Sequence, residues 1–326
     1  MNIEKWSLRI GATALMLAVL FRLGSSGVFQ TAAQALVTPE ALAVMMYLET
    51  GRVVRSAPVA DPEPEETSPA FTEPEEEASV QAVFAPADAE LVEVRSHCGI
   101  QPDVPAMMQK PLSWNLQKAE PTVLIVHSHG SEGYDNTEDG NYRTLNTNEN
   151  MISVGAELKK VLDDGGISVI HDTAMHDQPS YSASYSQSRK SVKEYLKQYP
   201  SICLVLDLHR DAVENSKGKQ VAVTAKHNGE TVAQLMLVVG TDTRLSHPDW
   251  PENMSLAVKL HAQLEKNFPG ICRPISFRSQ RFNQDLSPGA LLVEVGAAGN
   301  SRDEALEAAR VLGKTILELS QGAIIQ

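Results

Sequence analysis

Short aliphatic runs separated by stretches of helical periodicity fill the last two thirds of the chain, and they leave it few folds to adopt. Residues 122–126 (TVLIV), 167–170 and 202–208 (ICLVLDL) are almost unbroken apolar runs, the pattern of strands whose sheet is covered on both faces. Between them, Met151, Val154, Leu158 and Val161 share one helical face and stop at Gly165-Gly166. Val192, Tyr195, Leu196 and Tyr199 share another and stop at Pro200. Residues 220–225 and 235–239 read as further strands, about 252–267 as a helix and 290–293 as a last strand. The capping box Ser301-x-x-Glu304 opens a final helix lined by Ala305, Ala309, Leu312 and Ile316. Strands alternating with helices predict α/β architecture: one three-layer domain over residues 119–326, with a mostly parallel sheet flanked by helices.

The first 118 residues read differently. Lys5 and Arg9 precede an apolar run over 10–21, Arg22 interrupts it, and 23–28 resumes it. We expect residues 1–35 to be a cytoplasmic tip and membrane anchor, with the flanking bases keeping the N-terminus inside and the bulk of the chain outside. The same run fits a signal peptide, for which Ala33-Gln34-Ala35 supplies a cleavage site, so removal is the alternative. Residues 36–55 suit a short juxtamembrane helix, with Thr38 as cap, Pro39 in the first turn and Gly51 at the exit. Residues 56–118 are expected to be a largely disordered acidic spacer. From 56 to 94 there are eleven acids, repeated prolines and no Lys or Arg, so mutual repulsion and scarce apolar surface oppose compaction. Net charge is −13, and neither half has the basic surplus that phosphate-backbone binding needs, so no nucleic-acid partner is expected. The three cysteines are far apart, with no C-x-x-C, and form neither a disulfide framework nor a zinc ribbon.

Chemistry gathers at strand ends, where ligands of α/β sheets bind. The first strand runs into His127-Ser128-His129-Gly130-Ser131-Glu132, the third into Asp207-Leu208-His209-Arg210-Asp211, and the last into Glu294-Val295-Gly296. His129, Glu132 and His209 supply two imidazoles and a carboxylate, the ligand set of a catalytic Zn²⁺ site with one position open. Glu149, at the start of the next helix, is the alternative carboxylate ligand. Glu294 interrupts an apolar strand, where a carboxylate is costly without a partner or a task, and is the candidate general base. Asp207 and Asp211 are candidates to orient His209. His127 reads as structural, and His171 and His176 as solvated or locally bonded.

The motifs HSHGSEGY, Tyr181-x-x-Ser184-Tyr185-x-x-Ser188-Arg189, LVLDLHRDA and RFNQDLSPGALLVEVGAAGN, in this order, resemble the stage II sporulation protein P family. The resemblance covers about residues 120–320. It implies an amidase-like fold and a membrane-anchored, zinc-dependent N-acetylmuramoyl-L-alanine amidase that also cleaves peptide cross-links. It further implies peptidoglycan as substrate, stage II sporulation proteins D and M as partners, and work at the septal or engulfing membrane of a sporulating cell. Carried onto this chain, the family's metal and catalytic motifs fall on His129, Glu132, His209 and Glu294. Tyr185, Arg189, Arg210, Asn283, Gln284 and Asp285 are candidate substrate contacts or supports. Two other readings stay open: a zinc carboxypeptidase, with Arg210 or Arg281 binding a substrate carboxylate, and a wall-binding module without activity.

Overall fold

The computed structural model describes residues 84–321, apart from 113, 136–140 and 228. The expected anchor (1–35), the juxtamembrane helix (36–55) and the spacer up to residue 83 lie outside the described residues. Among the described residues no helix is long and apolar enough to cross a membrane. In chain order the elements are β1 (Val94–Ser96), α1 (Val104–Gln109), β2 (Val123–Val126), α2 (Met151–Asp164), β3 (Val169–His171), α3 (Ser184–Gln198) and β4 (Leu204–Asp211). They continue with β5 (Thr224–His227), β6 (Glu230–Ala233), β7 (Leu235–Val239), α4 (Trp250–Asn267), β8 (Ile275–Phe277), β9 (Ala290–Ala297) and α5 (Arg302–Ser320).

Seven strands form one sheet in the order β1-β8-β7-β9-β4-β2-β3. Every neighbouring pair is parallel except β7 with β9. The predicted α/β class and mostly parallel sheet are therefore present. Two expectations need correction. The strand expected at 220–225 begins only at Thr224 and pairs with β6 as a two-stranded hairpin outside the main sheet, because its side chains alternate between exposed and half-buried. The spacer expected to run to 118 is folded from Pro86 onward: β1 pairs with β8 along the sheet edge. The acidic composition ends at Glu93, and Val94, Ile100, Val104 and Met107 then pack against the core, with Met108 and Leu116 fully buried in it.

Strand parity builds the site. Val123, Ile125, Leu206, Leu208, Leu291, Val293 and Val295 point to one face, where they pack with Leu158 and Leu162 of α2, Leu260 of α4 and Leu312 of α5. The alternate residues Leu124, Val126, Val205 and Ala290 point to the other, covered by Val192, Tyr195 and Leu196 of α3. Successive side chains on a strand take opposite faces, so this second set continues into Ser128, Asp207, His209 and Glu294. The thinly covered face thus turns polar at the carboxyl ends of β2, β4 and β9. His127 falls on the other parity, as predicted. Its ring is fully buried, with Nε2 2.8 Å from Nε2 of His171, and the pair occupies space left by Gly155 of α2, whose Cβ would meet both rings at 2.5–2.6 Å. His176 is buried and 2.9 Å from Asp172, so the second of the two readings, local bonding, describes both histidines.

Candidate active site

The segment after β2 is held on several sides. Ser128 N–H donates to Asp207 Oδ1 at 2.8 Å and its hydroxyl to Oδ2 at 2.5 Å. Ser131 donates through N–H and hydroxyl to Asp177. Met151 N–H, at the start of α2, donates to Glu132 O at 2.9 Å. These bonds bring His129 and Glu132 against β4. The His129 and His209 rings meet edge to face with centroids 5.3 Å apart. Glu132 Oε2 lies 3.6 Å from His209 Nδ1, and His209 Nε2 lies 2.9 Å from Asp207 Oδ1. That last approach is misaligned, since Nε2 makes no directed hydrogen bond. On the neighbouring strand Glu294 is the register partner of His209, which places all four predicted residues at one sheet end.

Their electrostatics differ sharply. Burial lowers His129 to about 4, although Glu132 pulls the other way, so its imidazole is neutral near pH 7. Burial also opposes a charge on His209, yet Asp207, Tyr185 and Glu132 overcome it and hold its pKa well above the usual range. Glu132 and Asp207 are ionised in spite of burial, chiefly through His209. Glu294 is the exception: burial pushes it up to about 8 against the pull of His209. Its Oε2 is buried and has no hydrogen-bond partner. A carboxyl so placed exchanges a proton near neutral pH.

Among the described residues no three His, Cys, Asp or Glu side chains already converge on a common point. The donor chemistry nevertheless fits zinc. His129 Nδ1 is buried without a hydrogen-bond partner, His209 turns Nδ1 toward Glu132 and Nε2 toward Asp207, and the excess of carboxylate that keeps a proton on His209 also suits a divalent cation. His129, His209 and Glu132 would hold it, and Asp207 lies where it can orient His209.

Other candidates are placed differently. Glu149 sits in the turn ahead of Asn150, the residue that caps α2, and among the described residues no hydrogen bond or ion pair joins its side chain to His129 or His209. Asp211 pairs with Arg273 at 2.7 Å and leaves His209 to Asp207. Arg210 is a buried clamp on the 132–143 loop, donating to Gly133 O and Tyr142 O at 2.9 Å each. Gln284 is also structural, accepting from Gly240 N–H and donating to Val238 O at 2.8 Å each. Arg189 is paired with Asp285 through two bonds at 2.9 and 2.6 Å. Asn283 donates to Tyr185 O and Ser188 Oγ. Together they fasten the loop before β9 to α3, and Phe282 and Asn283 take left-handed φ of 51° and 59° within it. Tyr185 lies beside both imidazoles, its centroid 5.5 Å from His129 and 6.2 Å from His209.

Tyr181 and Ser188 belong to the motif whose segment is expected to touch substrate, whereas Ser128, Asp177 and Arg143 carry no expected role in the site. The signal for Ser128 was its parity with Asp207 and His209. Tyr181 and Tyr185 stand four apart, as neighbours on a helical turn do. Nothing in the sequence links Arg143 to Tyr181.

Fold and donor set define an α/β protein with a His/Glu site at the carboxyl ends of a mostly parallel sheet. The family model for stage II sporulation protein P matches residues 43–317, and the chain belongs to that family. It is 27% identical over 233 residues to stage II sporulation protein P of Bacillus subtilis (strain 168), a match covering 65% of this chain and 56% of the relative. The chain therefore spans little more than half the length of the relative it matches. Among solved structures it is similar to the N-acetylmuramoyl-L-alanine amidase AmiC2 of Nostoc punctiforme (17% identity, 62% of this chain and 97% of that one, TM-score 0.39). It is also similar to the catalytic domain of CwlV, an N-acetylmuramoyl-L-alanine amidase from Bacillus (Paenibacillus) polymyxa var. colistinus (14% identity, 61% and 97%, TM-score 0.38).

Proposed function

We propose that this chain is a sporulation peptidoglycan hydrolase that cleaves the amide between N-acetylmuramic acid and the L-Ala of the stem peptide, with peptide cross-links as a further target. The observation that carries this reading is Glu294: a carboxyl near neutrality with a free buried oxygen, in register with His209. Bound zinc supplies a Lewis acid for the scissile carbonyl and acidifies a water. His129, His209 and Glu132 hold the ion. Asp207, fixed by Ser128, keeps the His209 ring in place. Glu294 takes the proton from the attacking water and returns it to the leaving amine.

Family membership supports placing this work outside the cytoplasm, at the septal or engulfing membrane, on a single-pass anchor in residues 1–35 and beside stage II sporulation proteins D and M. The carboxypeptidase reading relied on Arg210 or Arg281, and both are engaged: Arg210 by the loop carbonyls, Arg281 by Asp285 and Ser246 O. No observation favours a pure wall-binding module. Digesting purified peptidoglycan with and without chelator and identifying the new ends tests the proposal. Free L-Ala amino termini that appear only without chelator are expected; new C-terminal carboxylates alone would refute it.

A further inference from the structure

The cations around the site are satisfied with one exception among the described residues. Arg210 is spent on Gly133 O and Tyr142 O, Arg189 and Arg281 on Asp285, and Arg273 on Asp211. Arg143 is different. Its backbone is fixed, bridging Glu132 in antiparallel fashion and donating to Asn141 Oδ1 at 2.7 Å. Its guanidinium carbon lies 3.9 Å from the centroid of the Tyr181 ring, and no carboxylate or carbonyl among the described residues accepts from it. Tyr181 in turn lies on the His129 ring, centroids 4.0 Å apart and planes 13° from parallel. Two groups so near one centroid cannot share a face. The tyrosine is therefore a spacer with the guanidinium on one side and the imidazole on the other, and it is 48% exposed, so the stack stands at the mouth of the site.

We infer that Arg143 recognises a carboxylate on the peptide side of the substrate, and that Tyr181 is a positioning residue that holds it two ring spacings from His129. The inference rests on the hydrolase reading above. A guanidinium stacked on a ring keeps its in-plane N–H groups free, and two parallel N–H donors match a carboxylate. Distance selects which one. An extended peptide advances about 3.3–3.6 Å per residue, so spacings of 3.9 and 4.0 Å reach about two residues along the chain. That is the carboxylate of the second stem residue, next after L-Ala. Lys in place of Arg143 would keep the charge without the fork.

The test uses the full chain and two synthetic N-acetylmuramyl peptides, identical except that the second residue carries a free carboxylate in one and a carboxamide in the other. Both kcat/KM and equilibrium binding are measured for wild type, Arg143→Gln, Arg143→Lys, Tyr181→Phe and Tyr181→Ala. Wild type should prefer the carboxylate by about tenfold or more, as a charge-assisted bidentate pair supports. Arg143→Gln should bring the ratio to about 1, and Arg143→Lys should fall between. Tyr181→Phe, which keeps the stack, should keep the ratio, and Tyr181→Ala should lose most of it. A wild type without preference, or an Arg143→Gln that weakens both peptides equally, overturns the inference. If wild type binds but cleaves neither peptide, the hydrolase reading fails, and the binding ratios still decide the role of Arg143 by the same criteria.

Discussion

Among single residues, Glu294 and Asp207 carry the most distinct expectations. Both interrupt apolar strands, yet their surroundings separate them: Asp207 accepts from Ser128 and borders His209, whereas Glu294 Oε2 has no partner. Glu294→Gln keeps the shape and removes the proton acceptor. Hydrolysis should fall by about 10²-fold or more while zinc content and melting temperature hold. A variant that melts normally and still releases stem peptide at the wild-type rate would remove Glu294 from the mechanism. Asp207→Asn should act through His209 instead. Loss of a residue that orients a ligand weakens metal affinity by about 10- to 100-fold, to be read in a competition titration with a chelator. Both carboxylates were legible in the sequence, because an acid inside an aliphatic run is conspicuous whatever the fold. The roles of Arg210, Gln284 and Asp285 were not. Their partners are carbonyls, an amide and an arginine that only the folded chain brings close, and a polar residue shows no sequence mark that tells a clamp from a substrate contact.

At the level of elements, periodicity recovered what is long enough to show a period. The helix over Met151–Asp164, the start of the one over Arg302–Ser320 and the strand Leu235–Val239 are legible almost to the residue. Strands β1 (VRS) and β8 (ISF) have three residues each and, unlike the equally short β3, no unbroken aliphatic run to mark them, and with them went the true start of the domain. The edge they form is held from below. Lys259 of α4 is buried, donates to Met107 O at 2.9 Å and to Lys110 O, and is lowered by its burial to about 8. A chain starting at residue 119 leaves that amine without those acceptors and uncovers β8. It should melt at least about 10 °C below a chain starting at 84, a loss of several kcal/mol for a domain this size. Equal melting of the two would show that β1 and α1 are dispensable. The loop before β9 has a bracket of its own on the β7 side, Gln284. Gln284→Ala strands Gly240 N–H and Val238 O and should cost about 2 kcal/mol in denaturant unfolding; a cost near zero would mean that the Arg189–Asp285 pair and Asn283 hold the loop without it.

Taken as a whole, the molecule concentrates neutral imidazole in its interior, and that sets its response to acid. Burial lowers His127 to about 3, with His171 adding to the effect, and it lowers His171 and His247 to about 4 each. In the unfolded chain each takes a proton near pH 6.5, while the folded chain refuses it until about pH 4 or below. Stability is therefore full above pH 6.5 and is lost as pH falls through that window. Two groups act with the opposite sign. His209 is raised, so its contribution is complete below 6.5 and fades only at higher pH. Glu294, raised to about 8, gains stability as pH falls from 8 toward the ordinary carboxylate range. Between about 4.5 and 6.5 these three histidines, joined by His129, outnumber Glu294, and the sum favours acid unfolding. His247 isolates the effect, because it is fully buried, both its ring nitrogens lack partners, and it lies outside the metal site. With chelator present to suppress metal-linked protonation, His247→Phe should lose visibly less stability between pH 7.5 and 5 than the wild type does. Parallel pH profiles for the two proteins would place the acid sensitivity elsewhere, in the lowered carboxylates Glu132 and Asp207.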